Sequence, residues 1–86
     1  MRDVVKVIPL EDYRLEVWFD DGQRATVDIK PLMHRQVFRP LWDKNIFSRV
    51  EINHKFGGVI WPTGADVCVD WIEAEIGRQR LRAGYG

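Results

Sequence analysis

Two alternating runs separated by Asp20-Asp21-Gly22 do most to limit what this chain can become. From Tyr13 to Phe19, Tyr13, Leu15, Val17 and Phe19 fall on one side, and Arg14, Glu16 and Trp18 on the other. A period of two belongs to a strand with one buried face. Gln23 to Ile29 alternates again, so the runs form a hairpin whose register can be chosen by its consequences. A tight loop of Asp21-Gly22 alone sets Val17 beside Thr26 and Phe19 beside Arg24, polar against apolar. A loop of Asp20-Asp21-Gly22 sets Leu15 beside Val27, Val17 beside Ala25, Arg14 beside Asp28 and Trp18 beside Arg24. Only the longer loop makes chemical sense on both faces, with Gly22 in the left-handed region.

The rest of the chain is read around that hairpin. The β-branched run Val4 to Ile8 predicts a strand closed by Pro9, and Leu10-Glu11-Asp12 predicts a turn. Lys30-Pro31-Leu32-Met33-His34 suits the first turn of a short helix, with Pro at its start. Val37 to Asp43 and Asn45 to Arg49 read as short 3₁₀ or helical pieces. Their Phe38, Leu41, Trp42, Ile46 and Phe47 pack down on the sheet. Val50 to His54 alternates as a strand, Lys55-Phe56-Gly57-Gly58 reverses the chain, and Val59-Ile60-Trp61 pairs back. Asp70 with Glu73 three residues on has the capping-box pattern. Ile72 and Ile76 then supply a buried stripe, and Gly84 ends the helix. Glu73 and Glu75 near its start and Arg78, Arg80 and Arg82 near its end complement the helix dipole. The expected fold is α+β: one domain with an antiparallel meander sheet of about five short strands. That sheet spans 4–61 with a helical insert at about 31–49, and a C-terminal helix at about 70–83 packs on it.

Charge and cysteine content narrow the function classes. With 13 basic and 13 acidic residues the formal charge is zero, so no global field draws the chain to nucleic acid. Nucleic-acid binding by this domain alone is disfavoured, even with the Arg78, Arg80 and Arg82 cluster. A single cysteine, Cys68, excludes an internal disulfide and fits a reducing compartment. The stretch Met1 to Lys6 has no long apolar run, so neither a signal peptide nor a membrane span is expected, and the cytoplasm is the expected location.

A further set of residues carries a family resemblance. It comprises Phe19-Asp20-Asp21-Gly22, Val27-Asp28-Ile29, Leu32, Phe38, Leu41, Asp43, Phe47, Val50, Ile60-Trp61-Pro62-Thr63-Gly64-Ala65-Asp66 and Asp70. The pattern resembles the bacterial domain-of-unknown-function family twenty-four forty-two, from about Val4 to about Ile72. Its most specific part is Trp61-Pro62 followed by Gly64 and Asp66. The resemblance implies a small α+β fold with a meander sheet, no established enzymatic activity, and genes often set beside that of a second small protein, as in toxin–antitoxin pairs. The chain departs from the pattern where a proline usually precedes the second acid; Cys68-Val69 stands there.

Candidate sites follow from residue types. Trp61, Pro62, Gly64 and Asp66 have a turn reading: Pro62 sets φ, Gly64 takes positive φ, Asp66 caps a loop N–H and Trp61 is core. The functional alternative is a shallow pocket floored by Trp61, with Asp66 or Asp70 as hydrogen-bonding acid for a small molecule or ion. His34, His54, Asp66, Cys68 and Asp70 are metal-ligand types, but they lack the close pairs that zinc favours. No metal, cofactor or catalytic residue is expected. Trp18, Trp42, Trp61 and Trp71 exceed what so small a core needs. Trp18 is expected on the sheet face opposite Leu15 and Val17, covered either by the helical pieces or by another chain. The expected function is a non-catalytic protein-interaction module, a homodimer through that face or an edge strand, with a small protein partner as in an antitoxin-like pair.

Overall fold

The computed structural model describes the backbone of residues 2–85 and side chains as far as Leu81. Strands β1 (Val4–Leu10), β2 (Arg14–Phe19) and β3 (Arg24–Asp28) form an antiparallel meander in that order. The hairpin register is the one the face argument selects: Leu15 opposite Val27, Val17 opposite Ala25, Arg14 opposite Asp28 and Trp18 opposite Arg24. Gly22 sits at φ +86° and donates its N–H to the Phe19 carbonyl at 3.0 Å.

β1 runs through Pro9 instead of stopping there. The outer edge of β3 explains why. The Gln79 side chain accepts from the Asp28 N–H at 3.1 Å and donates to the Thr26 carbonyl at 2.9 Å, so those two residues point their backbone groups away from β2. Alternation then turns the groups of Arg14, Glu16 and Trp18 toward β1, where Leu10, Ile8 and Lys6 face them. Pro9, opposite Leu15, aims its donor-less nitrogen at the open edge, where proline is tolerated in a sheet.

After β3 the chain makes a 3₁₀ turn at Lys30–Leu32 with Pro31 near its start, then a second at Gln36–Trp42, then the short helix α1 (Lys44–Phe47). Phe38, Leu41 and Phe47 from this segment are buried in one cluster with Leu15, Val17 and Val27. The helical insert therefore covers the Leu15 face of the sheet and leaves the Trp18 face open.

The remaining strands correct the expectation of one five-stranded sheet. β4 (Glu51–Ile52), β5 (Val59–Ile60) and β6 (Asp66–Val67) form a second sheet of three strands. β4 lies alongside β1, but no ladder joins the two. Val50 to His54 yields only a two-residue strand. Asn53 bends away instead, its side chain accepting the N–H groups of Lys55 and Phe56 at 3.1 Å. β6 pairs with β5 across the corner at Trp61–Ala65, closed by the Gly64 N–H to the Trp61 carbonyl at 2.9 Å.

Helix α2 spans Val69–Tyr85, one residue earlier than expected. Its first turn is closed by the Ile72 N–H on the Cys68 carbonyl, so Asp70 lies inside the first turn and is not the cap. Glu73 does not reach back either. The Arg2 guanidinium, 71 positions away, holds it with a fork of 2.7 and 2.8 Å bonds. Gly84 falls inside the helix, and the Arg82 side chain lies outside the described residues. Ile72 and Ile76 are buried as a stripe. Among the described residues no helix is long and apolar enough to cross a membrane.

Candidate functional site

The aromatic residues form a row from surface to core. The Tyr13 ring meets Trp42 edge-on at 4.9 Å and Phe47 edge-on at 5.3 Å, and Phe47 lies 5.8 Å from Trp61. Exposure falls along the row: Trp42 is 49% exposed, Phe47 4% and Trp61 2%. Each polar tip is tied to backbone. Trp42 Nε1 donates to the Met33 carbonyl at 3.2 Å, Tyr13 Oη to the Trp42 carbonyl at 2.6 Å, and Trp61 Nε1 to the Phe47 carbonyl at 2.9 Å. The buried Trp61 indole needs such a partner, and the other two bonds fix the Trp42 and Tyr13 rings. The result is a rigid aromatic wall whose outer end is Trp42.

The β1–β2 turn that delivers Tyr13 is strained. Asp12 and Tyr13 both sit in the left-handed region, at φ +61° and +57°. Side chains other than glycine pay on the order of 1 kcal/mol or more for this conformation, so the surroundings must hold it. Lys30 is the clamp. Its Nζ donates to the Asp12 carbonyl at 2.6 Å and lies 2.9 Å from the Asp12 carboxylate and 3.1 Å from that of Asp28. The Ile29 N–H adds a bond to the Tyr13 carbonyl at 3.0 Å. The Lys30 hydrogen bond holds the Asp12 carboxyl below its ordinary range. Burial alone would lower the Lys30 ammonium, but its bonds to Asp12 and Asp28 raise it.

Beside this turn lies a cleft of about 660 Å³, within the size range of binding pockets. Its lining combines Pro9, Leu10, Tyr13 and Phe47 with the polar Glu11, Asp12, Lys44 and Ser48.

The residues singled out from sequence do not converge. Trp61 is sealed in the core and cannot floor a pocket. Pro62 and Gly64 (φ +92°) form the corner, as the turn reading has it, and both are exposed. Asp66 is exposed on β6. Asp70 lines a different cleft of about 590 Å³ with Arg2, Asp3, His54 and Cys68, and neither Trp61 nor Asp66 reaches it. Trp18 is half-buried on the open sheet face, with the Lys6 ammonium 4.7 Å from its ring. Trp71 is half-buried against the core under Arg78. Of the candidates, only Trp42 joins the aromatic wall from the exposed side. Among the described residues no three His, Cys, Asp or Glu side chains gather as a metal site.

One signal in the sequence goes unread when charge is only totalled. Lys30, Arg35, Arg39, Lys44 and Arg49 stand against a single carboxylate, Asp43, between positions 30 and 49. That segment carries four net positive charges, and the rest of the neutral chain carries four net negative ones. Tyr13 and its strained turn had no such signal, because nothing in Glu11-Asp12-Tyr13 announces positive φ.

The chain belongs to the family described as protein of unknown function (DUF2442), whose model matches residues 4–78. The match takes in the aromatic wall, the corner and Arg78, and stops short of Arg80. No curated protein and no solved structure matches the chain.

Proposed function

We propose that this domain works by binding another protein, as the partner-binding or antitoxin-like member of a small two-gene module, and not by catalysis. The observation that carries this reading is the outer end of the aromatic wall. Trp42 and Val37, 49% and 56% exposed, stand on a segment whose inner face is locked by hydrogen bonds and core packing. A rigid, exposed indole beside exposed arginines is the composition that dominates protein interfaces, and pre-organisation lowers the ordering cost of association. The test is a pull-down from the native host followed by mass spectrometry, with wild-type chain and Trp42→Ala as paired baits. One small protein, encoded beside this chain, retained by the wild type and lost with Trp42→Ala, is expected. Equal retention by both baits contradicts the reading.

A homodimer is the second reading, and the open face of the first sheet favours it over the edges. Ile8, opposite Glu16, is exposed on β1, and Trp18 is half-buried on the same face. The edges are poor templates: Gln79 occupies that of β3, while Pro9 and a register shift between Val4 and Lys6 interrupt that of β1. Light scattering that finds only a 10.1 kDa species removes the dimer.

A further inference from the structure

The cationic segment is only partly neutralised within the fold, Lys44 lying near enough to Asp12 to help lower its carboxyl. Lys30 is spent on the β1–β2 turn, and Asp43 accepts the Asn45 N–H at 2.9 Å to open α1. Arg35, Arg39, Lys44 and Arg49 are all exposed, and among the described residues none of them is in an ion pair. A 3₁₀ helix repeats every third residue, so Gln36, Arg39 and Trp42 share one edge and Val37 and Pro40 the next, while Phe38 and Leu41 turn inward. Uncommitted arginine therefore stands directly beside exposed apolar surface. A phosphate backbone would satisfy the arginines and leave Val37 with no use, and the negative remainder of the chain would repel it. Carboxylates interleaved with apolar side chains satisfy both.

We propose that the exposed surface of residues 35–42 docks an acidic segment of a partner protein, its carboxylates on Arg35 and Arg39 and an apolar side chain against Val37 and Trp42. This rests on the binding reading above and adds the chemistry of the partner. The opposite signs also steer the encounter, so association is faster at low salt.

The test is fluorescence anisotropy with a labelled peptide of alternating Glu and Leu. The comparison ligands are the same peptide with Lys in place of Glu and a single-stranded DNA of equal charge. The proposal expects the acidic peptide to bind best and to weaken as salt rises. The double variant Arg35→Glu/Arg39→Glu is expected to weaken binding by about tenfold or more. Arg24→Glu, the same kind of change on the open face of the first sheet, is expected to stay within about twofold. Arg35→Gln/Arg39→Gln serves as a milder second variant if reversal perturbs folding. No binding of the acidic peptide, equal losses for Arg24→Glu, or tighter binding of DNA each overturns the proposal. The two levels separate in the native-host pull-down. A neighbour-encoded partner held by wild type and by Arg35→Glu/Arg39→Glu but lost with Trp42→Ala leaves the binding reading standing and removes this one. A neighbour-encoded partner held equally by wild type and Trp42→Ala removes the binding reading itself.

Discussion

Alanine at Gly22 and at Gly58 should cost very different amounts, although both glycines sit at similar positive φ, +86° and +73°. At Gly22 an added Cβ meets nothing within 4 Å among the described residues, so only the backbone preference is lost, about 1 kcal/mol. At Gly58 the same Cβ would stand 2.0 Å from the Val67 carbonyl oxygen and 3.1 Å from the Cys68 Cα. Even a short C···O contact is about 3.3 Å, so β6 must retreat by more than an ångström. That motion breaks the Val59–Val67 and Ile60–Asp66 pairs which hold β6 to β5. Overpacking of this kind adds about 1–3 kcal/mol to the backbone cost. In a domain of this size about 1 kcal/mol moves the melting temperature by about 4–8 °C. Thermal and urea unfolding followed by circular dichroism should place Gly22→Ala one such step below wild type and Gly58→Ala two to four steps below, in units of about 1 kcal/mol. Equal losses, or a milder Gly58→Ala, would refute both the β5–β6 packing and the reasoning from it.

Gln79→Ala should lose about 1–3 kcal/mol in urea unfolding, because it strips partners from the Thr26 carbonyl and the Asp28 N–H, and the opened β3 edge should make the variant self-associate in light scattering. Lys30→Met should let the Asp12 carboxyl climb back toward its ordinary value, read by NMR titration, because the Lys30 hydrogen bond is the main cause of its depression. Arg2→Met should flatten the acid limb of stability. The Arg2 hydrogen bond lowers the Glu73 carboxyl below 4.5 in the folded chain, so the unfolded chain binds more protons there and stability falls as pH drops through that range. Asp21 should stay depressed in that variant, since the Gln23 backbone N–H is its largest single cause.

How far the sequence determines each element follows from how local its cause is. The β2–β3 register was legible because alternation constrained both faces at once and Gly22 matched the loop. β6 was not, since two residues carry no period. The start of α2 is not legible because Asp70 and Glu73 mimic a capping box locally, while the partner of Glu73 is Arg2 at the other end of the chain. Pro9 resembles a strand terminus because sequence does not say which edge of a strand is open. Of the candidate site, Trp42 stands out by residue type alone, and the burial of Trp61 fits its core reading and not its pocket one. The wall joining them runs through Tyr13, held by the Ile29 N–H sixteen positions later in a turn that Lys30 clamps at Asp12. No short pattern carries that.

Hydrogen-exchange footprinting of the complex captured from the native host tests the central claim most directly, by asking which backbone amides the partner shields. Protection concentrated in residues 35–42, strongest around Arg39 and Trp42, is the predicted result. Protection confined to β1 and the open face around Trp18, with 35–42 exchanging as in the free chain, would contradict it.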